Sequence, residues 1–139
     1  MPGSAALSTP VSLPVGKEPT LRIVPMPADT NYAGSIFGGW ILSQVDIAGS
    51  IAAIRRARGP ITTVAVNSVE FREPVFVGDL VSCYAEVTRV GRTSITVQVE
   101  VYAERHPARA ECIKVTQAVL TYVALDEHRR PRVVPQENF

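Results

Sequence analysis

The sequence predicts an α+β chain in which one long, buried central helix is wrapped by a curved antiparallel β-sheet. Three observations lead there. A single helical stretch comes early, and four long stretches with strand period follow it. The helical stretch is apolar nearly all round instead of along one stripe, a pattern that normally means burial on every side. The strand stretches are separated by short turns, which makes neighbours antiparallel.

Taken in order, Leu21 to Val24 is a short apolar run closed by Pro25 and Pro27. It suits an edge strand, because proline cannot donate to a ladder. Ala28 to Gly34 is a loop by composition. Gly38-Gly39 opens the helix, whose body reads WILSQVDIAGSIAAI from Trp40 to Ile54. Arg55, Arg56 and Arg58 place positive charge at the negative end of the helix dipole. Gly59 is the expected left-handed cap, and Pro60 blocks continuation.

Beyond Pro60 the period drops to two, and Thr62 to Phe71, Leu80 to Val90, Thr93 to Arg105 and Glu111 to Leu125 read as strands. In the third, Ile95, Val97, Val99 and Val101 alternate with Thr96, Gln98, Glu100 and Tyr102. A turn at His106-Pro107-Ala108 leads to the fourth, which carries Ile113, Val115 and Val119 on one face. Val133 and Val134 are candidates for a last scrap of strand. The result is a single domain over residues 21–135, between a loose N-terminal tail at 1–20 and a C-terminal tail at 136–139. One sheet around one helix leaves strand edges open. Pairing those edges between subunits removes them, so a homodimer is expected.

Composition excludes several classes. A length of 139 residues suits one domain, and 46% hydrophobic with 19% charged residues supplies a core. A net charge of +1 gives no general basis for nucleic-acid or membrane-surface partners. No stretch approaches the roughly 20 apolar residues of a membrane span. The start of the chain has no charged segment leading into an apolar core, so no secretory signal is expected and a cytoplasmic protein is. Cys83 and Cys112 are far apart and read as reduced, buried thiols. With only His106 and His128 available, metal clusters and Ser-His-Asp machinery are short of parts, and no metal or separate cofactor is expected.

The chemistry concentrates around the helix. Asp46 is the only charge between Trp40 and Ile54. Burying an unpaired carboxylate is costly, so it needs a partner or a task. Its neighbours one turn away, Leu42, Ser43, Gly49 and Ser50, are mostly small and leave room for another molecule beside the carboxylate. Gly38 and Gly39 stand at the helix start, where free N–H groups and partial positive charge gather. Lacking a β-carbon, they let a carbonyl approach those donors, which suits oxyanion stabilisation; the plainer reading is a tight turn needing positive φ. Asn31 is by composition a turn residue. Gly91-Arg92-Thr93-Ser94 reads first as a hairpin turn, and otherwise as a contact for a phosphate, with one guanidinium and two hydroxyls.

Together these residues carry a resemblance. Asp29-Thr30-Asn31-x-x-Gly34-x-Ile36-Phe37-Gly38-Gly39-Trp40, followed by Ser43-Gln44-Val45-Asp46, resembles the signature of YciA-type acyl-CoA thioesterases of the hotdog-fold superfamily. Val64-Ala65-Val66, Phe71-x-x-Pro74-Val75-x-Val77-Gly78-Asp79, Val90-Gly91-Arg92-Thr93-Ser94 and Val115-Thr116 leading to Tyr122-Val123-Ala124 follow in family order. The resemblance runs from about Pro27 to Pro135. It implies hydrolysis of acyl-CoA to a free acid and CoA, with Asp46 as general base or nucleophile. It also implies Asn31 assisting from the other subunit, and oxyanion stabilisation at Gly38 and Gly39. CoA, as part of the substrate, would be held partly by Arg92, Thr93 and Ser94. Dimers would associate further into a homohexamer, a trimer of dimers. Phe37 stands where other branches carry a histidine before the two glycines, which argues against hydratase chemistry.

Two other functions compete with the thioesterase. A non-catalytic acyl-CoA binder or sensor would bind saturably without releasing thiol. An assembly module without a ligand would leave Asp46 unexplained.

Overall fold

The structure, a computed structural model, describes residues 11–105 and 111–137. The turn expected at His106-Pro107-Ala108, the first half of the N-terminal tail and the last two residues lie outside the described residues. Strand β1 spans Leu21–Ile23, helix α1 Gly38–Ala57, and strands β2 to β5 span Ile61–Phe71, Leu80–Val90, Ser94–Arg105 and Glu111–Ala124. All pairings are antiparallel and the order across the sheet is β1-β3-β4-β5-β2. Neighbours in sequence are thus neighbours in space for β3, β4 and β5. Strand β2 departs from that rule: it pairs with β5 at the far edge, and residues 72–79 carry the chain from it across to β3.

That crossing segment is braced. The buried Asp79 carboxylate accepts from the Phe76 N–H at 2.9 Å and pairs with the Arg105 guanidinium at 3.1 Å. Arg105 also lies over the Phe76 ring, 4.9 Å from its centre. Gly78 takes φ +94°, a left-handed conformation that glycine adopts without steric cost.

The core lies between α1 and the concave face of the sheet. Val97, Val99 and Val101 of β4 meet Ile41, Val45, Ala48 and Ala53 of α1, all buried. In β5 the face expected for Ile113, Val115 and Val119 does not run through. Lys114 pairs with Tyr102 and Thr116 with Val101, so Val115 is an extra residue, a β-bulge. A one-residue shift flips every later side chain. Ala118, Leu120 and Tyr122 therefore face the helix, and Val119 pairs with Gln98 away from the core.

Helix α1 ends differently from expectation. The left-handed residue is Arg58, at φ 56°, and not Gly59. The space above Gly59 belongs to Arg132, whose guanidinium would lie 2.8 Å from an added β-carbon. Arg132 donates to the carbonyls of Ala57 and Leu125, both at 2.8 Å, closing the helix end. Residues 133 and 134 form no strand; Val134 is buried and its N–H bonds the Arg92 carbonyl. Residues 11–20 hold no regular element yet are tied down, Val11 to Cys112 and Thr20 to Cys83. Cys83 and Cys112 are unbridged and buried, and burial pushes the Cys83 thiol up to about 12. Among the described residues no helix is long and apolar enough to cross a membrane.

The chain buries only one side of the helix. Ile41, Gln44, Val45, Ala48, Gly49, Ala53 and Ala57 are covered, while Ser43, Ile47 and Ile54, at helical spacing, stay exposed. A single five-stranded sheet reaches round no further.

Candidate active site

The start of α1 is fixed by the loop before it. The Asn31 Oδ1 accepts from the N–H groups of Ala33 at 2.9 Å and Ser35 at 3.2 Å. Its Nδ2 donates to Ser35 Oγ at 3.0 Å, and its main-chain N–H to the Ser35 carbonyl at 2.7 Å. The next two N–H groups then leave the loop, Ile36 bonding the Val75 carbonyl and Phe37 the Asp29 carbonyl. The helix that follows has no side-chain cap. Its first bonded N–H is that of Trp40, to the Phe37 carbonyl at 3.1 Å. The N–H groups of Gly38 and Gly39 have no acceptor among the described residues.

Neither glycine has a positive φ, so the tight-turn explanation for the pair fails. A β-carbon on Gly39 would meet nothing within 4 Å, and one on Gly38 only the Phe71 ring at 3.6 Å. The first turn of α1 is open to an incoming group. A cavity of about 260 Å³ lined by Ile36, Gly38, Ile41, Phe71 and Pro74 opens beside it.

Asp46 follows Gly39 by seven residues, about two turns along the same helix. It sits half-buried at the border between the covered and open faces. Its Oδ1 accepts from Thr63 Oγ1 at 2.8 Å and from the Tyr122 hydroxyl at 3.0 Å. That hydroxyl also lies 3.1 Å from the Asp46 carbonyl oxygen. Asp46 Oδ2 has no hydrogen-bond partner among the described residues. Burial first, then the charge of Asp46 and the bond to it, push the Tyr122 phenol far above its ordinary range. Tyr122 is therefore a neutral donor throughout the working pH range.

The small residues around Asp46 were expected to leave room for another molecule, and at Gly49 that room is taken from within. An added β-carbon there would overlap the Tyr122 hydroxyl. Neither Thr63 nor Tyr122 is a site residue that the sequence alone singles out. Two signals pointed to Tyr122: a glycine three residues after a lone helical carboxylate, and a tyrosine at an inward strand position, where its hydroxyl needs a partner.

The remaining residues fall into two groups. Arg92, Thr93 and Ser94 lie at the same end of the sheet as Asp46. Thr63 pairs with Tyr122 and Tyr122 with Ile95, and Ser94 is one position further. The turn is closed by the Gly91 N–H on the Ser94 carbonyl, and the exposed Arg92 side chain forms no ion pair among the described residues. Asn31, in contrast, makes no hydrogen bond to Asp46 of its own chain. A cavity of about 310 Å³ lies on the outer face of the sheet, beside Lys17, Tyr84 and Glu100, and includes none of these groups. Among the described residues no cluster of His, Cys, Asp and Glu is placed to hold a metal.

The chain is similar to known thioesterases. A family model described as Thioesterase superfamily matches residues 33–110. The chain is 42% identical to the acyl-CoA thioester hydrolase YciA of Escherichia coli, over 94% of this chain and all of that one. It superposes on a hexameric hotdog-fold thioesterase of Campylobacter jejuni with a TM-score of 0.81 at 49% identity, covering 86% of this chain and 91% of that one. A hexameric broad-specificity acyl-coenzyme A thioesterase, solved as an aspartate-to-alanine variant, matches with a TM-score of 0.83 at 46% identity, covering 87% and 88%. The chain thus belongs to the thioesterase superfamily with the hotdog fold, within its YciA-type branch of acyl-CoA thioester hydrolases.

Proposed function

We propose that the chain hydrolyses acyl-CoA to a free acid and CoA, with Asp46 as general base or nucleophile. One observation carries the reading: a carboxylate oxygen with no hydrogen-bond partner among the described residues stands two turns from an uncapped Gly-Gly helix start. The thioester carbonyl would rest on the Gly38 and Gly39 N–H groups, which stabilise the negative charge that develops on its oxygen. In the general-base route Asp46 Oδ2 takes a proton from water as that water adds to the carbonyl carbon. The tetrahedral intermediate then expels CoA thiolate, which takes up the proton. In the nucleophilic route Oδ2 itself adds, thiolate leaves, and water cleaves the mixed anhydride.

CoA enters as part of the substrate, with its phosphates at Arg92, Thr93 and Ser94. The working unit is at least a homodimer and, by likeness to the hexameric relatives, a homohexamer built as a trimer of dimers. The open helix face, the free edge of β2 and the exposed Val64, Val66 and Phe71 support that assembly. Asn31 would reach Asp46 from the partner copy, and a cytoplasmic place of work fits the substrate. Release of free thiol from short, long and aromatic acyl-CoA esters tests the activity. Turnover of at least one class is expected; saturable binding with no thiol release would overturn it in favour of a binder.

A further inference from the structure

Asp46 has two oxygens, and the fold treats them unequally. Oδ1 takes two hydrogen bonds from its own chain, one from β2 through Thr63 and one from β5 through Tyr122, while Oδ2 takes none among the described residues. The bond from β5 is specifically accommodated. Tyr122 is fully buried, its ring in the core and its hydroxyl against α1, where only a glycine at position 49 leaves space for it. The same hydroxyl lies 3.1 Å from the Asp46 main-chain carbonyl, so it spans the residue it holds. A buried tyrosine could meet its hydrogen-bond need at any nearby carbonyl. Here it reaches the one charged side chain on the body of the helix.

We infer that Tyr122 is a positioning residue for hydrolysis: seated against Gly49, its hydroxyl anchors Asp46 Oδ1 and leaves Oδ2 as the single oxygen turned to the substrate. The inference rests on the proposed role of Asp46. The carboxylate is thereby held in one rotamer, which matters because small misplacements of a reacting group cost much in rate. The groups facing Asp46 are few: Tyr122 from β5, a neutral donor, and Thr63 from β2, which does not titrate. No ion pair reaches it among the described residues.

The test measures kcat and KM of the whole chain with an acyl-CoA that the wild type turns over. Tyr122→Phe keeps the ring and removes only the hydroxyl. Its kcat should fall roughly tenfold, with KM within about twofold, since the contact acts on the reacting carboxylate and not on binding. Gly49→Ala keeps the phenol but fills its seat, and should give the same split between kcat and KM even if Tyr122→Phe does not fold. The double variant should be no slower than Tyr122→Phe alone, since the seat is then already empty. Wild-type kcat in folded Tyr122→Phe would overturn the inference, as would multiplying losses in the double variant. Asp46→Asn, run in parallel, separates the two claims. If it is inactive while Tyr122→Phe behaves as wild type, only the positioning role falls. If it keeps wild-type turnover, the role of Asp46 fails and the positioning role goes with it.

Discussion

The two ends of helix α1 are built in opposite ways. At the C-terminal end the chain supplies its own partners: the Arg58 N–H, on a left-handed residue, bonds the Ile54 carbonyl at 2.8 Å, and Arg132 closes the Ala57 carbonyl. Arg56 donates to the Pro135 carbonyl at 2.6 Å and pairs with Glu137 at 3.1 Å. At the N-terminal end no side chain caps the helix, and two glycines leave their N–H groups exposed. Unpaired helix-end donors are a cost that a chain usually removes with a serine, threonine or aspartate cap. The bare end, two turns from a half-buried carboxylate, is the one to which the proposed function assigns the thioester carbonyl.

The contrast can be broken from either side. The largest effect is expected at the carboxylate: Asp46→Asn keeps size and most hydrogen bonding, and turnover should fall roughly 100-fold or more with the melting temperature preserved. Near-normal thiol release from the folded variant would end the mechanism. Gly39→Val would shade the free donors of the first turn. Because a β-carbon there touches none of the described residues, the protein should fold as before while kcat/KM drops roughly 10- to 100-fold. Unchanged kinetics would make the bare helix start irrelevant to catalysis. Arg92→Ala, remote from the thioester, should raise KM several-fold and leave kcat nearly alone; an unmoved KM would place the phosphates elsewhere. At the closed end Arg132→Ala should do the reverse, lowering unfolding stability by about 2 kcal/mol with kcat/KM within about twofold.

Much of this was legible in the sequence because local rules and tertiary packing agreed. The change of period after Pro60 placed the strands to within a residue or two, and the apolar run placed the helix. Asp46 was conspicuous as the one charge in that run. Legibility failed where a residue's meaning depends on a distant partner. Gly59 looked like a left-handed cap, but its role is to admit Arg132; Gly49 looked like open space, but it admits Tyr122. Both are glycines whose value lies in what arrives from 70 or so residues away. The bulge at Val115 likewise left no mark in an apolar alternation that could be read in either register. For Asn31, the turn reading accounts for every hydrogen bond that the residue makes in its own chain. Its proposed catalytic task needs a second copy.

That second copy is the central claim, and mixing two variants tests it most directly. Asn31→Ala and Asp46→Asn should each be nearly inactive alone. Combined in equal parts with subunit exchange, verified by mass spectrometry of differently tagged chains, half the dimers would be mixed. Each mixed dimer holds one site with both defects and one with neither, so activity should return to about a quarter of wild type. Recovery of that size is the predicted result. Proven exchange with no recovered activity would contradict it, placing Asn31 and Asp46 in one site from one chain, or reducing Asn31 to the turn it already makes.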